Sequence, residues 1–255
     1  MLYILLNIAA NAGVVTLLRE AGRRGPGLLP VVVANYWVCS ALGAALTPDL
    51  RDSLVGAPAG VYALGLGLGF AFIVVFLAVG AGAERLGVGY TGMASKISVA
   101  IPVAFSHFFL NEAISSRRWW GLALAPAAVV LLHADHLGRR RELSRGAWLV
   151  AAVIFFGSGI CDSAFKFYQF RYGSALPSPA FLFLVFSTAA VVGVVWIFLR
   201  RFAGFGRGPT FPRAAWTKIV AFGVLLGTIN FFSVFTLVKA LEAFEAAVAF
   251  PLMNV

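Results

Sequence analysis

The sequence predicts an all-α polytopic membrane protein, from its composition and its long apolar runs. Of the 255 residues, 61% are hydrophobic and only 12% are charged, whereas soluble domains carry about 25% charged residues. A membrane-spanning helix needs about 20 predominantly apolar residues. Eight runs approach or exceed that length: 2–19, 28–47, 57–82, 88–110, 119–134, 146–168, 178–199 and 216–239.

A ninth apolar run begins near Ala243 and reaches Val255, the last residue. Because it stops without a flanking charge, we expect the rest of this helix and a tenth helix to be missing. The turns between the runs are short and rich in glycine and proline, so no segment is long and polar enough for a soluble domain. Met1-Leu2-Tyr3 lacks the basic start of a signal peptide, which predicts that the first run is a mature helix.

The basic residues lie in clusters between the apolar runs, around 19–24, 117–118, 139–145 and 200–213. This pattern is typical of residues that flank membrane helices and face anionic headgroups. The net charge of +10 therefore indicates the lipid bilayer as a partner and argues against nucleic acid. Cys39 and Cys161 lie inside apolar runs, and no Cys or His pair has the spacing of metal ligands, so neither a disulfide nor a metal is expected.

Two segments of the first half align with segments of the second half. Residues 69–96 align without gaps on 227–254, and residues 2–48 align on 152–198. The alignment pairs Gly43 with Gly193 and places a Glu in the same short turn of both halves, at positions 84 and 242. We therefore predict two five-helix repeats, 1–136 and 137–255, with about nine of ten helices present. Because five is odd, the halves would have opposite orientations, as in many secondary transporters.

Residues 86–112 combine a small-residue helix, a central Pro102 and a terminal Leu-Asn-Glu, and a Trp-Trp-Gly opens the next run within 116–121. This stretch resembles the fourth and fifth helices of the drug/metabolite transporter superfamily, EamA type. Residues 246–254 resemble the matching start of the ninth helix. The resemblance implies a ten-helix carrier or exporter of small organic solutes in the cell membrane, here a bacterial inner membrane, with no cofactor. A homodimer is left open.

The chain departs from the pattern of this family at two positions. Asn111 stands where Gly is common, and Lys96 lies inside the fourth run. Lys96 is about eight residues into its helix, roughly 12 Å along it. A charge at that depth is expensive and usually faces a cavity or a partner. We predict that Lys96 binds an anionic solute group together with Ser98; the alternatives are a structural ion pair and a snorkelling side chain.

Asp162 and Lys166 are four residues apart on the sixth run, so they lie on one helix face. Two interpretations remain open. They form a local ion pair, or Asp162 is a carboxylate in the transport path that takes up and releases protons. Both residues are candidates for the solute site.

Further candidates are polar side chains inside apolar runs. Amides in membrane helices often bridge neighbouring helices, but here the first, second, fourth, sixth and eighth runs all supply polar groups, which favours one internal polar cavity. Asn254, which aligns with Lys96, is included. The candidates are Asn7, Asn11, Asn35, Tyr36, Asn230 and Asn254.

Glu84, Glu112 and Glu242 follow apolar runs and are interpreted as interfacial turn residues or helix caps, with Lys239 as a local partner of Glu242.

No convergent nucleophile, base and metal set is present, so we do not expect an enzyme. The leading hypothesis is a secondary transporter that acts as an exporter. A membrane-embedded enzyme and a lipid-translocating subunit are the alternatives, and Phe-rich lateral grooves would favour the lipid-translocating subunit.

Loop charges predict the orientation of the chain. Lys and Arg are enriched in the loops after the first, third, fifth and seventh runs, so the positive-inside rule places the N-terminus outside, although the resembled family is usually drawn the other way. A cysteine introduced in the 137–145 loop is therefore expected to resist a membrane-impermeant thiol reagent added to intact cells. Labelling from outside would reverse the orientation.

Overall fold

A computed structural model of the chain describes residues 1–24, 27–115, 119, 120, 124, 127, 145–202 and 213–253. The helices with defined ends in these ranges are α1 (Leu2–Arg24), α2 (Leu28–Ala45), α3 (Leu50–Val55), α4 (Ala59–Arg85), α5 (Val88–Ile97), α6 (Ala100–Leu110), α7 (Arg145–Tyr172), α8 (Ser178–Phe202), α9 (Arg213–Ala243) and α10 (Ala246–Met253). The prediction of a helical protein is confirmed.

Seven candidate membrane spans are present in the described residues, and α5 and α6 together form one of them, Gly89–Leu110. They correspond to seven of the eight predicted long runs. The fifth run, 119–134, lies almost wholly outside the described residues. Large apolar side chains are exposed on the surface, including Phe109 at 73% and Trp148 at 65%, which suits a surface in contact with lipid. The chain is thus a multi-pass membrane protein.

The helices of the described ranges define two sides of the molecule: the side where α1 ends, beside the basic cluster at 19–24, is called the basic side, and the opposite side is called the distal side. On the basic side, α1, α4 and α8 end and α2, α5, α7 and α9 begin. On the distal side, α6, α7 and α9 end and α4, α8 and α10 begin. Contacts agree with this arrangement, because Glu84 packs on Gly22 at the basic side and Tyr172 packs on Gly60 at the distal side.

Glycines let α4 and α9 approach the backbones of α8 and α2. A Cβ at Gly69 would lie 2.5 Å from the carbonyl oxygen of Val185 on α8, and a Cβ at Gly227 would lie 2.7 Å from the carbonyl oxygen of Asn35 on α2. The internal alignment pairs Gly69 with Gly227 and Asn35 with Val185. Aligned residues of the two halves therefore make equivalent contacts, α4 with α8 and α9 with α2.

A short break at Ser98 and Val99 separates α5 from α6. Pro102 explains the break, since it has no N–H to donate to the carbonyl of Ser98 and its ring crowds that carbonyl. The Ser98 side-chain hydroxyl donates to the carbonyl of Ser95, at 2.5 Å. At the other end of α6, Asn111 adopts a left-handed conformation with φ of 55°, which Asn tolerates better than most residues.

Replacement of Gly69 by Ala is expected to destabilise the protein by about 1–3 kcal/mol, the usual cost of overpacking, because the new methyl group meets a backbone oxygen. Gly67 is the matched control, since a Cβ there meets nothing within 4 Å. Gly67→Ala should be neutral or stabilising by up to about 1 kcal/mol. Thermal melting of the purified variants in detergent measures the difference, and equal midpoints would contradict the packing argument.

Candidate functional site

A cavity of about 560 Å³ lies among α1, α4, α5, α7, α9 and α10. Its polar lining includes five of the residues selected from the sequence: Asn7, Asn11, Lys96, Asp162 and Asn230. Its apolar lining comes from several helices, including α1 through Val14 and Leu18 and α4 through Phe72 and Phe76. One cavity therefore joins a cation, a carboxylate, amides and aromatic rings.

The cavity lies in the middle part of the helix bundle. On α1 it extends from Asn7 to Leu18, and on the fourth span its lining runs from Gly89 to Lys96, so that α5 contributes and α6 does not. On the fourth span the lining therefore ends near the break between α5 and α6, whereas on α7 it continues to Phe165 and on α9 to Leu237. At the distal ends of the helices, Tyr168, Phe181 and Leu241 are buried.

A hydrogen-bonded cluster joins α1 to α9 at the cavity wall. The Asn7 side-chain amide donates to the Ser233 carbonyl at 2.7 Å, and the Asn11 amide donates to the Asn7 side-chain oxygen at 2.8 Å. The Ser233 hydroxyl donates to the Asn11 side-chain oxygen at 2.8 Å. These amides both bridge two helices and line the cavity, so the two sequence interpretations apply to the same residues.

The predicted local ion pair of Lys166 is wrong. The Lys166 ammonium lies 2.6 Å from a carboxylate oxygen of Glu112, and the two side chains are 5% and 16% exposed. Glu112 also accepts a hydrogen bond from the backbone N–H of Ala246, at 3.0 Å. The buried ammonium thus has its counter-charge on another helix, while Asp162 lines the cavity.

Four other candidates do not line this cavity. Ser98 is buried in the break after α5, and Lys166 is held by Glu112. Asn35 accepts a hydrogen bond from the Asn230 amide at 3.2 Å, and the Tyr36 hydroxyl donates to the Phe72 carbonyl at 3.1 Å. Asn35 and Tyr36 therefore join α2 to α9 and α4. Asn254 lies outside the described residues.

The cavity also contains residues that sequence reasoning did not select as site residues. Ser158 lies one turn before Asp162, and Ser233 lies three residues after Asn230, so helical spacing from a selected residue was an available signal for both. Cys161, Phe165 and Phe250 carried no such signal, because apolar residues of this kind occupy every helix face in the chain.

The remaining glutamate near α9 behaves as predicted. Glu242 pairs with Lys239 at 2.8 Å and also accepts a hydrogen bond from the Ser178 hydroxyl at 2.9 Å. The local pair is confirmed, and it extends to the start of α8. Within the described residues, no group of three or more His, Cys, Asp or Glu side chains is arranged to hold a metal ion.

A second, apolar cavity of about 660 Å³ lies among α4, α6 and α7. Four phenylalanines line it, Phe105, Phe108, Phe109 and Phe167, together with aliphatic side chains. Phe108 and Phe109 are more than two-thirds exposed, at 69% and 73%. This groove faces the surroundings of the helix bundle and contains almost no polar atoms.

Comparisons with known proteins give the chain a relative but no function. No protein-family model matches it. A Haemophilus influenzae protein described as uncharacterized is 28% identical over 175 residues, which is 68% of this chain and 55% of the relative. The chain therefore spans about half the length of the relative it matches.

The two cysteines provide a test of the cavity. Both thiols are buried, but Cys161 lines the cavity, whereas Cys39 is fully enclosed and its thiol donates to the Gly227 carbonyl at 3.2 Å. A small thiol reagent is expected to modify Cys161 roughly ten times faster than Cys39, because thiol reactivity depends on access. Mass spectrometry of Cys39→Ser and Cys161→Ser variants gives the two rates, and faster modification of Cys39 would contradict the assignment.

Proposed function

We propose that the protein is a secondary transporter that moves a small organic solute across the membrane by alternating access. One observation carries the proposal: Lys96, Asp162 and an amide cluster line one cavity inside a bundle of membrane-spanning helices. Charged residues in membrane spans are costly and mark solute or ion pathways. A volume of about 560 Å³ lies within the usual range for small-molecule sites, about 300–1,000 Å³.

Each part of the lining has a proposed role. Lys96 binds an anionic group of the solute, and Asp162 exchanges protons and couples transport to a proton gradient. Asn7, Asn11 and Asn230 orient the solute through hydrogen bonds. The aromatic rings of α4 contact its apolar part. Because the lining combines charged and amide groups with aromatic rings, the proposed solute has both polar and apolar portions.

The symmetry of the contacts supports the same proposal. α1 runs from the distal to the basic side, whereas α7, its counterpart in the internal alignment, runs from the basic to the distal side. The equivalent glycine contacts of α4 and α9 fit two inverted repeats, 1–136 and 137–255. Inverted repeats rock about a central site in many secondary transporters. We therefore retain the EamA-type assignment, as an exporter of the bacterial inner membrane, for the proposal.

A lipid-translocating subunit is the second candidate function. The apolar groove of α4, α6 and α7 favours it, because its phenylalanines suit an acyl chain. The charged lining of the other cavity favours a soluble solute instead. Proteoliposomes containing fluorescent phospholipids separate the two candidates, since a lipid translocator redistributes the labelled lipid between leaflets and a solute carrier does not.

Lys96→Ala is expected to lower transport at least about tenfold, because a hydrogen bond to a charged group contributes about 1.5 kcal/mol or more. The measurement is flux of radiolabelled organic anions and zwitterions in proteoliposomes, first screened with the unmodified protein. Lys218→Ala is the matched control, since Lys218 is exposed at the start of α9. Unchanged flux in a correctly inserted Lys96→Ala variant would show that Lys96 is structural.

A further inference from the structure

Glu112 is a single side chain that holds three helices together on the distal side. Its Oε1 lies 2.6 Å from the Lys166 ammonium of α7, and its Oε2 accepts the N–H of Ala246, the first residue of α10, at 3.0 Å. Glu112 itself lies two residues after Leu110, the last residue of α6. The carboxylate therefore connects the ends of α6 and α10 to the side of α7.

The backbone around Glu112 is also held in place. The chain turns at Asn111, with φ of 55°, and the N–H of Glu112 then donates to the Ser106 carbonyl at 3.1 Å. The His107 ring nitrogen Nδ1 lies 2.9 Å from the Glu112 carbonyl oxygen. These contacts anchor Glu112 to α6, so the two contacts of its carboxylate fix α7 and α10 relative to α6.

The clamp formed by Glu112, Lys166 and Ala246 lies just beyond the distal end of the polar cavity. Lys166 is one helical turn after Asp162 on α7, and Ala246 is one turn before Phe250 on α10. Both Asp162 and Phe250 line the cavity, whereas no clamp residue does. Moving α10 away from α7 at this end would therefore extend the cavity toward the distal side.

We infer that Glu112 is the distal gating residue of this protein, an inference that rests on the proposed transport function. Alternating access requires the closed distal side to open in one state. In that state Glu112 releases Lys166, the first turn of α10, or both. Two features of the clamp favour the closed state. The buried Lys166 ammonium is paired with Glu112, and the Glu112 carboxylate also stabilises the N-terminus of α10 through its exposed backbone N–H groups. Closure is thereby favoured while no solute is bound.

Cys161 is a native reporter for this gate, since it lines the cavity. In a Cys39→Ser background it is the only cysteine of the chain. Intact cells and inverted membrane vesicles expose opposite sides to a membrane-impermeant methanethiosulfonate reagent. Glu112→Gln and Lys166→Met are expected to raise the labelling rate from the distal side about tenfold or more, with no rise from the basic side. A tenfold rise in the labelling rate follows if the fraction of molecules in a minor, distally open state increases tenfold.

Two further variants control for charge and for folding. Lys166→Arg retains the cation and should label at the parent rate. Lys239→Met breaks another distal ion pair, whose two charged residues both lie on α9, and should also leave labelling unchanged. An unfolded variant would label faster from both sides. No distal increase in either Glu112→Gln or Lys166→Met, or an equal increase from both sides, would overturn the gate. Labelling requires no solute, so a side-selective increase without measurable flux would instead contradict the transport function.

Discussion

Close backbone contact between helices is the constraint on which the rest of this structure depends. In a membrane, helices gain little from the hydrophobic effect, because lipid tails are as apolar as leucine, and they associate through packing and hydrogen bonds. Gly65 and Gly69 bring α4 onto α8, and Gly223 and Gly227 bring α9 onto α2. Other faces of α4 and α9 line the polar cavity, together with α1, α5, α7 and α10.

Polar groups in the bundle fall into two kinds with different physical roles. Asn35 and Tyr36 bond to neighbouring helices in full burial, so they strengthen helix contacts that are otherwise apolar. Lys96 and Asp162 line open volume, where a solute can approach their charges. Lys166 belongs to neither kind. It is charged but buried, and its charge is balanced by Glu112. The distribution of charge thus follows the boundary between packed and open parts of the bundle.

Sequence reasoning predicted most of the described helices. Of the ten residues selected as site candidates, five line the cavity. Span length and composition determine where a membrane helix forms, which is why runs such as 28–47 and 178–199 closely match α2 and α8. The direction in which a side chain faces depends on neighbouring helices, which one run cannot reveal. Asn35 and Asn230 are alike in sequence, yet only Asn230 lines the cavity. Glu112 and Lys166 are remote in sequence, so same-helix spacing suggested Asp162 as the partner instead.

The proline after the break in the fourth span has an electrostatic consequence for the cavity. Because Pro102 ends α5 at Ile97, Lys96 lies in the last turn of that helix. The terminal carbonyl groups of a helix carry a partial negative charge that stabilises a nearby cation. In an uninterrupted helix the same lysine would be surrounded by carbonyls already bonded within the helix. Pro102 does not line the cavity, yet it affects the electrostatic potential at Lys96. Among the described residues that line the cavity, Lys96 is the only cationic side chain.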